Sequence, residues 1–245
     1  MTSLLLAEPA QVEALGRAAV YALCSHALAA PTPARWAQLH TVVLPAVLAL
    51  DLGSGLEAKI EGVARFTPPD PSDLKAAHLR LFPPIASQDA PGYETAYRGQ
   101  DLFQQVDLLA DIAGFYRAHG LKPGGGERER VDHIVVELEF CAILARKEAY
   151  ALGNLGAEEV EVSRSTAASF LRDHLGCWGP AFGRRIAIVA EHPFYRSVGA
   201  LLAAWIEAHL AQLGLQPAEI ADSPLAQAPP DDVGCGPCPL PGMAT

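Results

Sequence analysis

Residues 127–150, ERERVDHIVVELEFCAILARKEAY from Glu127 to Tyr150, decide the fold. Val131, Ile134, Val135, Leu138, Cys141, Ala142 and Ala145 recur at three- and four-residue steps, a period that places them on one stripe of an α-helix to be buried. Glu127, Glu129 and Asp132 put negative charge in the first turns and Arg146 and Lys147 put positive charge in the last, as the helix dipole favours. Gly153 is the expected stop. Core packing does not call for Asp132 and His133, which the periodicity sets at the rim of the stripe, where they contribute little to the core.

Helical signals continue on both sides. Residues 10–29 carry Val12, Leu15, Ala19, Leu23 and Ala27 and end at Pro31, after which Thr32 and Pro33 read as an N-cap and first-turn proline of a second helix running through Trp36, Leu39, Val43 and Leu48. Short helices are expected near 56–66 and 73–82, a Pro/Gly-rich loop from Pro83 to Gly99, and a helix over 101–119 closed by Gly120. The triple glycine 124–126 then leads into the central helix. Three more helices fit 157–174, 180–191 and 194–213. Strand signals are nearly absent, so the expected fold is all-α: a single-domain helical bundle over residues 1–214. In residues 215–245, seven of 31 positions are proline, which predicts a flexible tail.

Half of the 245 residues are hydrophobic, enough for a sizeable core, and 28 acids against 18 bases give a net charge of −10. The bases are scattered, which argues against nucleic acid as a partner. No apolar run is long enough to span a bilayer, and the N-terminus lacks a basic region before its apolar residues. Five cysteines, an odd number spread along the chain, do not form a disulfide framework. These features predict a soluble cytoplasmic protein.

Motifs for catalysis are missing. No lysine follows a glycine as a phosphate-binding loop requires, no segment fits G-x-S-x-G, and no glutamate has a histidine three positions on as a di-iron bundle requires. His133 and Glu137, at i and i+4, have the spacing of a shared metal, but the same spacing gives a helix-surface ion pair, which is the expected reading. Cys235 and Cys238 form a C-x-x-C in the tail, a weak metal or redox candidate without the preceding strand that activates such a pair. Tyr93, Glu94 and Tyr97, in an irregular segment, are not explained by helical amphipathicity.

The pattern resembles the TorD/DmsD/NarJ family, cytoplasmic chaperones for the maturation of molybdenum-containing redox enzymes. The resemblance is carried by Arg17 to Tyr21 with Leu23, by Gly92-Tyr93-Glu94-Thr95-Ala96-Tyr97, by Asp107 to Ala110 with Phe115 to Leu121, by Glu129-Arg130-Val131-Asp132-His133 with Glu137-Leu138-Glu139-Phe140, and by Leu175 to Phe182. It implies an all-helical protein that is not an enzyme and carries no cofactor of its own. Its partner would be the apo catalytic subunit of a molybdopterin-dependent oxidoreductase, bound through an N-terminal twin-arginine signal peptide. By the same resemblance, Asp132 and His133 map onto a peptide-binding pair and Tyr93, Glu94 and Tyr97 onto its neighbouring loop; independently, two arginines call for carboxylates, for which Asp132, Glu94 and Glu137 are the candidates. The protein would be a monomer or homodimer. The competing reading is a helical metal- or redox-handling accessory protein that uses Cys235 and Cys238, and a third is a small-molecule regulator with its ligand inside the bundle.

Overall fold

The computed structural model describes residues 8–83, 89–99, 101–122, 130–218 and 220. The chain before Gly53 forms α1 (Pro9–Leu28), α2 (Pro33–Gln38) and α3 (Leu44–Leu48), with a π-helical turn at Leu39–Val43 joining the last two. Pro9 opens α1 from the first turn, where its missing N–H costs nothing. Thr32 caps α2 as its sequence predicts, its hydroxyl accepting from the Arg35 N–H at 3.4 Å. Next come α4 (Ser54–Phe66), α5 (Ser72–Leu81), the single turn α6 (Thr95–Arg98) and α7 (Leu102–Ala118). The second half is α8 (Ile134–Asn154), α9 (Ala157–Phe170), a π-helical turn at Leu171–Leu175, α10 (Gly176–Val189) and α11 (Pro193–Leu213). Gly120 and Gly214 end α7 and α11 with positive φ angles of 74° and 64°, which residues with a Cβ avoid.

Two broad contacts organise the bundle, α1 against α8 and α10 against α11, with α9 on α8 and α4 on α11. Ala14, Ala18 and Ala22 of α1 and Ala142, Ala145 and Ala149 of α8 are all buried, small side chains that let helix axes draw close. Around them lie Trp178, Tyr21, Tyr116, Phe140, Phe170 and Phe182, each almost wholly shielded from solvent. Among the described residues there is no β-strand, and no helix is long and apolar enough to cross a membrane. The all-α expectation holds.

Three expectations need correction. The central helix does not run back through Asp132: His133 is extended (φ −77°, ψ 137°) and serves as N-cap, its Nδ1 accepting from the Val135 N–H, so α8 begins at Ile134. It also runs past Gly153 to Asn154. The expected helices 157–174 and 180–191 are one continuous helical run, because the π turn carries the chain through Gly176, whose N–H bonds to Leu171 O. A Cβ at Gly176 would lie 2.2 Å from that oxygen, so the turn needs glycine there. Pro180 is accommodated inside α10. In the expected loop Pro83 to Gly99, Thr95–Arg98 forms a turn of helix. Of the expected tail, only 215–218 and 220 are described, and Leu215 and Ile220 pack, partly buried, on the core. Cys235 and Cys238 lie outside the described residues.

The α10 and α11 backbones meet at Gly183 and Gly199. A Cβ on Gly199 would lie 2.6 Å from Gly183 O and 2.7 Å from Ala187 N, both rigid backbone atoms. Gly199→Ala is therefore expected to destabilise the fold by about 1–3 kcal/mol, against the usual gain from replacing a helical glycine by alanine. Thermal unfolding checks this: the melting temperature should drop by several degrees, and a rise would show that the helices can part at no cost.

Candidate functional site

The segment from Gly92 to Arg98 lies against the residues leading into α8. Ile134 N–H donates to Gly92 O at 2.8 Å and Glu94 N–H to Asp132 O at 3.0 Å, flanking an antiparallel pairing of Tyr93 with His133. This pairing draws residues 130–133 out of the helix that their sequence favours. A side chain at position 92 would start 3.0 Å from His133 Nε2, so glycine leaves room for the imidazole. Five of the six residues singled out by sequence, Glu94, Tyr97, Asp132, His133 and Glu137, are buried here, and Tyr93 is half-buried.

Asp132 is wholly inaccessible. It accepts from Thr95 N–H at 3.2 Å, Thr95 Oγ1 at 2.8 Å, and Arg130 Nε and Nη2 at 3.0 and 2.9 Å. Arg130 also covers the Tyr93 ring, its guanidinium carbon 4.7 Å from the ring centre, and keeps half of its side chain in solvent. Glu94, also inaccessible, pairs with Arg98 one helical turn on, and Arg98 in turn donates to Asp173 O. The second oxygen of Glu94 lies 3.2 Å from His174 Nδ1, and His174 Nε2 lies 3.2 Å from Asp111 Oδ2. A chain of polar contacts thus runs from the interior at Glu94 to Asp111, whose side chain is 65% exposed.

Glu137 differs. One oxygen accepts from Trp178 Nε1 at 3.1 Å, and the other has no partner among the described residues. The ion pair expected with His133 is absent, because His133 turns its Nδ1 to its own backbone as a cap. Burial, reinforced by the Glu94 and Asp132 carboxylates, pushes the Glu137 carboxyl well above the usual range, which favours its neutral form. Tyr97 packs on Trp178 with ring centres 5.4 Å apart, and its buried hydroxyl has no partner among the described residues. The rim position expected for Asp132 is corrected: it is a buried, four-bonded anion. The sequence reading missed Thr95, Arg98, His174 and Trp178. Glu94 and Arg98 do carry the i, i+4 signature of a helical ion pair, but His174 becomes visible only once the π turn sets its direction. Among the described residues no group of three or more histidine, cysteine, aspartate and glutamate side chains is placed to hold a metal ion.

The nitrate reductase delta subunit family model matches residues 26–184. The chain belongs to this family. It is 33% identical over 148 residues to the chlorate reductase assembly chaperone protein of Ideonella dechloratans, covering 59% of this chain and 72% of that protein. The selenate reductase assembly chaperone protein of Thauera selenatis is 33% identical over 115 residues, or 47% of this chain and 58% of that protein. Chaperone protein TorD of Vibrio atlanticus is 28% identical over 134 residues, or 54% and 60%. The resemblance read from the sequence holds, and these relatives are named assembly chaperones rather than catalysts, as that resemblance implied.

Two measurements probe the energetics. Asp132→Asn turns an acceptor of four hydrogen bonds into a group that can accept only at one end, and a buried pair broken from one side loses on the order of 3 kcal/mol. The melting temperature is expected to fall by about 6–12 °C, given about 2–4 °C per kcal/mol at this chain length. An unchanged melting point would show that the bonds of Asp132 to Thr95 and Arg130 do not hold these two segments together. The second concerns pH. Burial pushes His133 down to about 4, with Asp132 opposing and Arg130 adding to the shift, and burial with the nearby Arg17 does the same to His209. The unfolded chain then binds protons that the fold refuses between about pH 6.5 and about 4, so stability is lost as pH falls through that window, by up to about 1.4 kcal/mol per pH unit for each histidine. Glu137 works oppositely: the fold keeps a proton that the unfolded chain releases above about 4.5, so acidification towards that value returns stability. Denaturant unfolding of His209→Gln from about pH 6.5 to about 4.5 is expected to lack one histidine's share of the slope. A slope equal to that of the wild type would mean that His209 is already protonated in the fold.

Proposed function

We propose that the chain is a cytoplasmic assembly chaperone that binds the N-terminal, twin-arginine-type signal region of a molybdenum-containing oxidoreductase subunit. It holds that subunit for cofactor insertion before export or assembly. The observation that carries this reading is the convergence of Tyr93, Glu94, Tyr97, Asp132, His133 and Glu137, drawn from two separate segments of the sequence, into one unit in a chain whose relatives are named reductase assembly chaperones. A signal bearing two arginines calls for carboxylates, and Asp132 and Glu94 already hold arginines of the chain itself. A client arginine therefore acts by exchange: it takes the place of Arg130, whose half-exposed side chain can swing to solvent while Asp132 remains paired. Tyr93, half-buried beneath Arg130, offers the client a ring face at the same point.

Isothermal titration with a synthetic peptide copying the N-terminus of the reductase subunit that co-purifies with the chain tests this. Tyr93→Ala is expected to weaken binding by about tenfold, with little change in melting temperature since the ring is partly exposed. Replacing the peptide's arginines by lysine should weaken it too, because an ammonium cannot make the paired bonds of a guanidinium. Equal affinity for both peptides in wild type and variant would refute the exchange.

A further inference from the structure

α7 sits on the bundle by one narrow edge. In its 17 residues only Ile112 and Tyr116 are buried, and from Leu102 to Asp111 no side chain is buried at all. Leu102, Phe103 and Val106 are 72%, 83% and 54% exposed, an unusual setting for three large apolar side chains on consecutive turns. At about 100° per residue, Leu102, Val106, Ala110 and Phe103 share one stripe about 100° wide, which starts about 40° from Tyr116 at Leu102 and ends about 140° from it at Phe103. Gln104, Asp107 and Asp111 form the next stripe, bordering the apolar one on its far side. Beside them lies an open hollow of 480 Å³ lined by Arg98, Gln104, Asp107, Leu108 and Asp111. Arg98 is neutralised there by Glu94, whereas Asp107 has no partner among the described residues.

We infer that the outer face of α7 is a docking surface for an amphipathic helical segment of the client, with an apolar face edged by arginine or lysine. This rests on the chaperone reading above and adds to it a second point of attachment. Charge selects the occupant. A second copy of the chain would bring its own Asp107 and Asp111 against these and carries a net charge of −10, so like charges would meet along the seam. An anionic lipid surface or a nucleic acid is repelled for the same reason. A cationic edge meets Asp107 directly, while the apolar face covers Leu102, Phe103 and Val106, the helix-in-groove mode of recognition.

The probe is a synthetic helical peptide about 18 residues long, with leucines at i, i+3, i+4 and i+7 and arginines along one edge, and a counterpart with glutamates on that edge. Anisotropy titrations use the full chain. The arginine-edged peptide is expected to bind and the glutamate-edged one not. Phe103→Glu combined with Val106→Glu should cost about tenfold or more in affinity, and Asp107→Lys several-fold together with a weaker dependence on salt, all at unchanged melting temperature. The inference is overturned if the wild type does not bind the arginine-edged peptide, if both variants bind it as the wild type does, or if sedimentation reveals a wild-type dimer that Phe103→Glu with Val106→Glu dissolves. Co-purification separates this from the broader reading: a wild type that fails these titrations yet still carries its reductase subunit loses the α7 surface alone, and one that carries none loses the chaperone reading, and with it this inference.

Discussion

A carboxylate taken out of water must find compensating donors, and around the start of α8 this fold takes in three. Glu94, Asp132 and Glu137 are all inaccessible to solvent, and each is settled differently. Asp132 is paired with Arg130 and Thr95, Glu94 with Arg98 and His174, and Glu137 accepts from the Trp178 indole. Much of the local architecture answers these needs. Residues 130–133 leave the helix so that Asp132 can reach Thr95, and residues 95–98 coil into a single turn so that Arg98 can reach Glu94. A third anion beside two would repel both, and burial together with the Glu94 and Asp132 carboxylates accordingly pushes the Glu137 carboxyl towards its neutral form.

The π turn at Leu171–Leu175 supplies the remaining partner. An i→i−5 bond admits one extra residue into the helical run and rotates α10 relative to α9 about their common axis. His174 thereby points inward to Glu94, and Trp178, in the α-helical turn beyond, points inward to Glu137. Phe170 and Phe115 close around the imidazole, with ring centres 5.2 and 5.5 Å away. Gly176 makes the geometry possible by having nothing to set against Leu171 O.

Much of this was legible from the residues. Helical periodicity, the Thr32 cap and the glycine stops place most helices within a residue or two, because those signals act over one turn. The two segments paired at Tyr93 and His133 were also legible, through the tyrosines and carboxylates that amphipathicity left unexplained. The start of α8 was not. Glu129 to Glu137 reads as a strong helical onset, and a tertiary pairing with Gly92 and Tyr93 outweighs it, which local rules cannot register. Asp132 was misplaced for the same reason: on a continued helix it would sit at the rim, but in the turn that precedes α8 its side chain is buried. A π turn has no compositional signature to betray His174.

Thr95 and Asp132 are joined across 37 positions of sequence, and α7 hangs between those two fixed roots. Bringing such distant points together costs entropy that grows only with the logarithm of the intervening length, so the joint tolerates change in what it encloses. Substitutions on the outer side of α7 touch neither the core nor the carboxylates and should each alter stability by no more than about 0.5 kcal/mol. Architecture and surface chemistry are thus separable in this protein. A lineage can exchange what α7 displays while inheriting the same interior, in the way that an antibody framework carries unrelated loops.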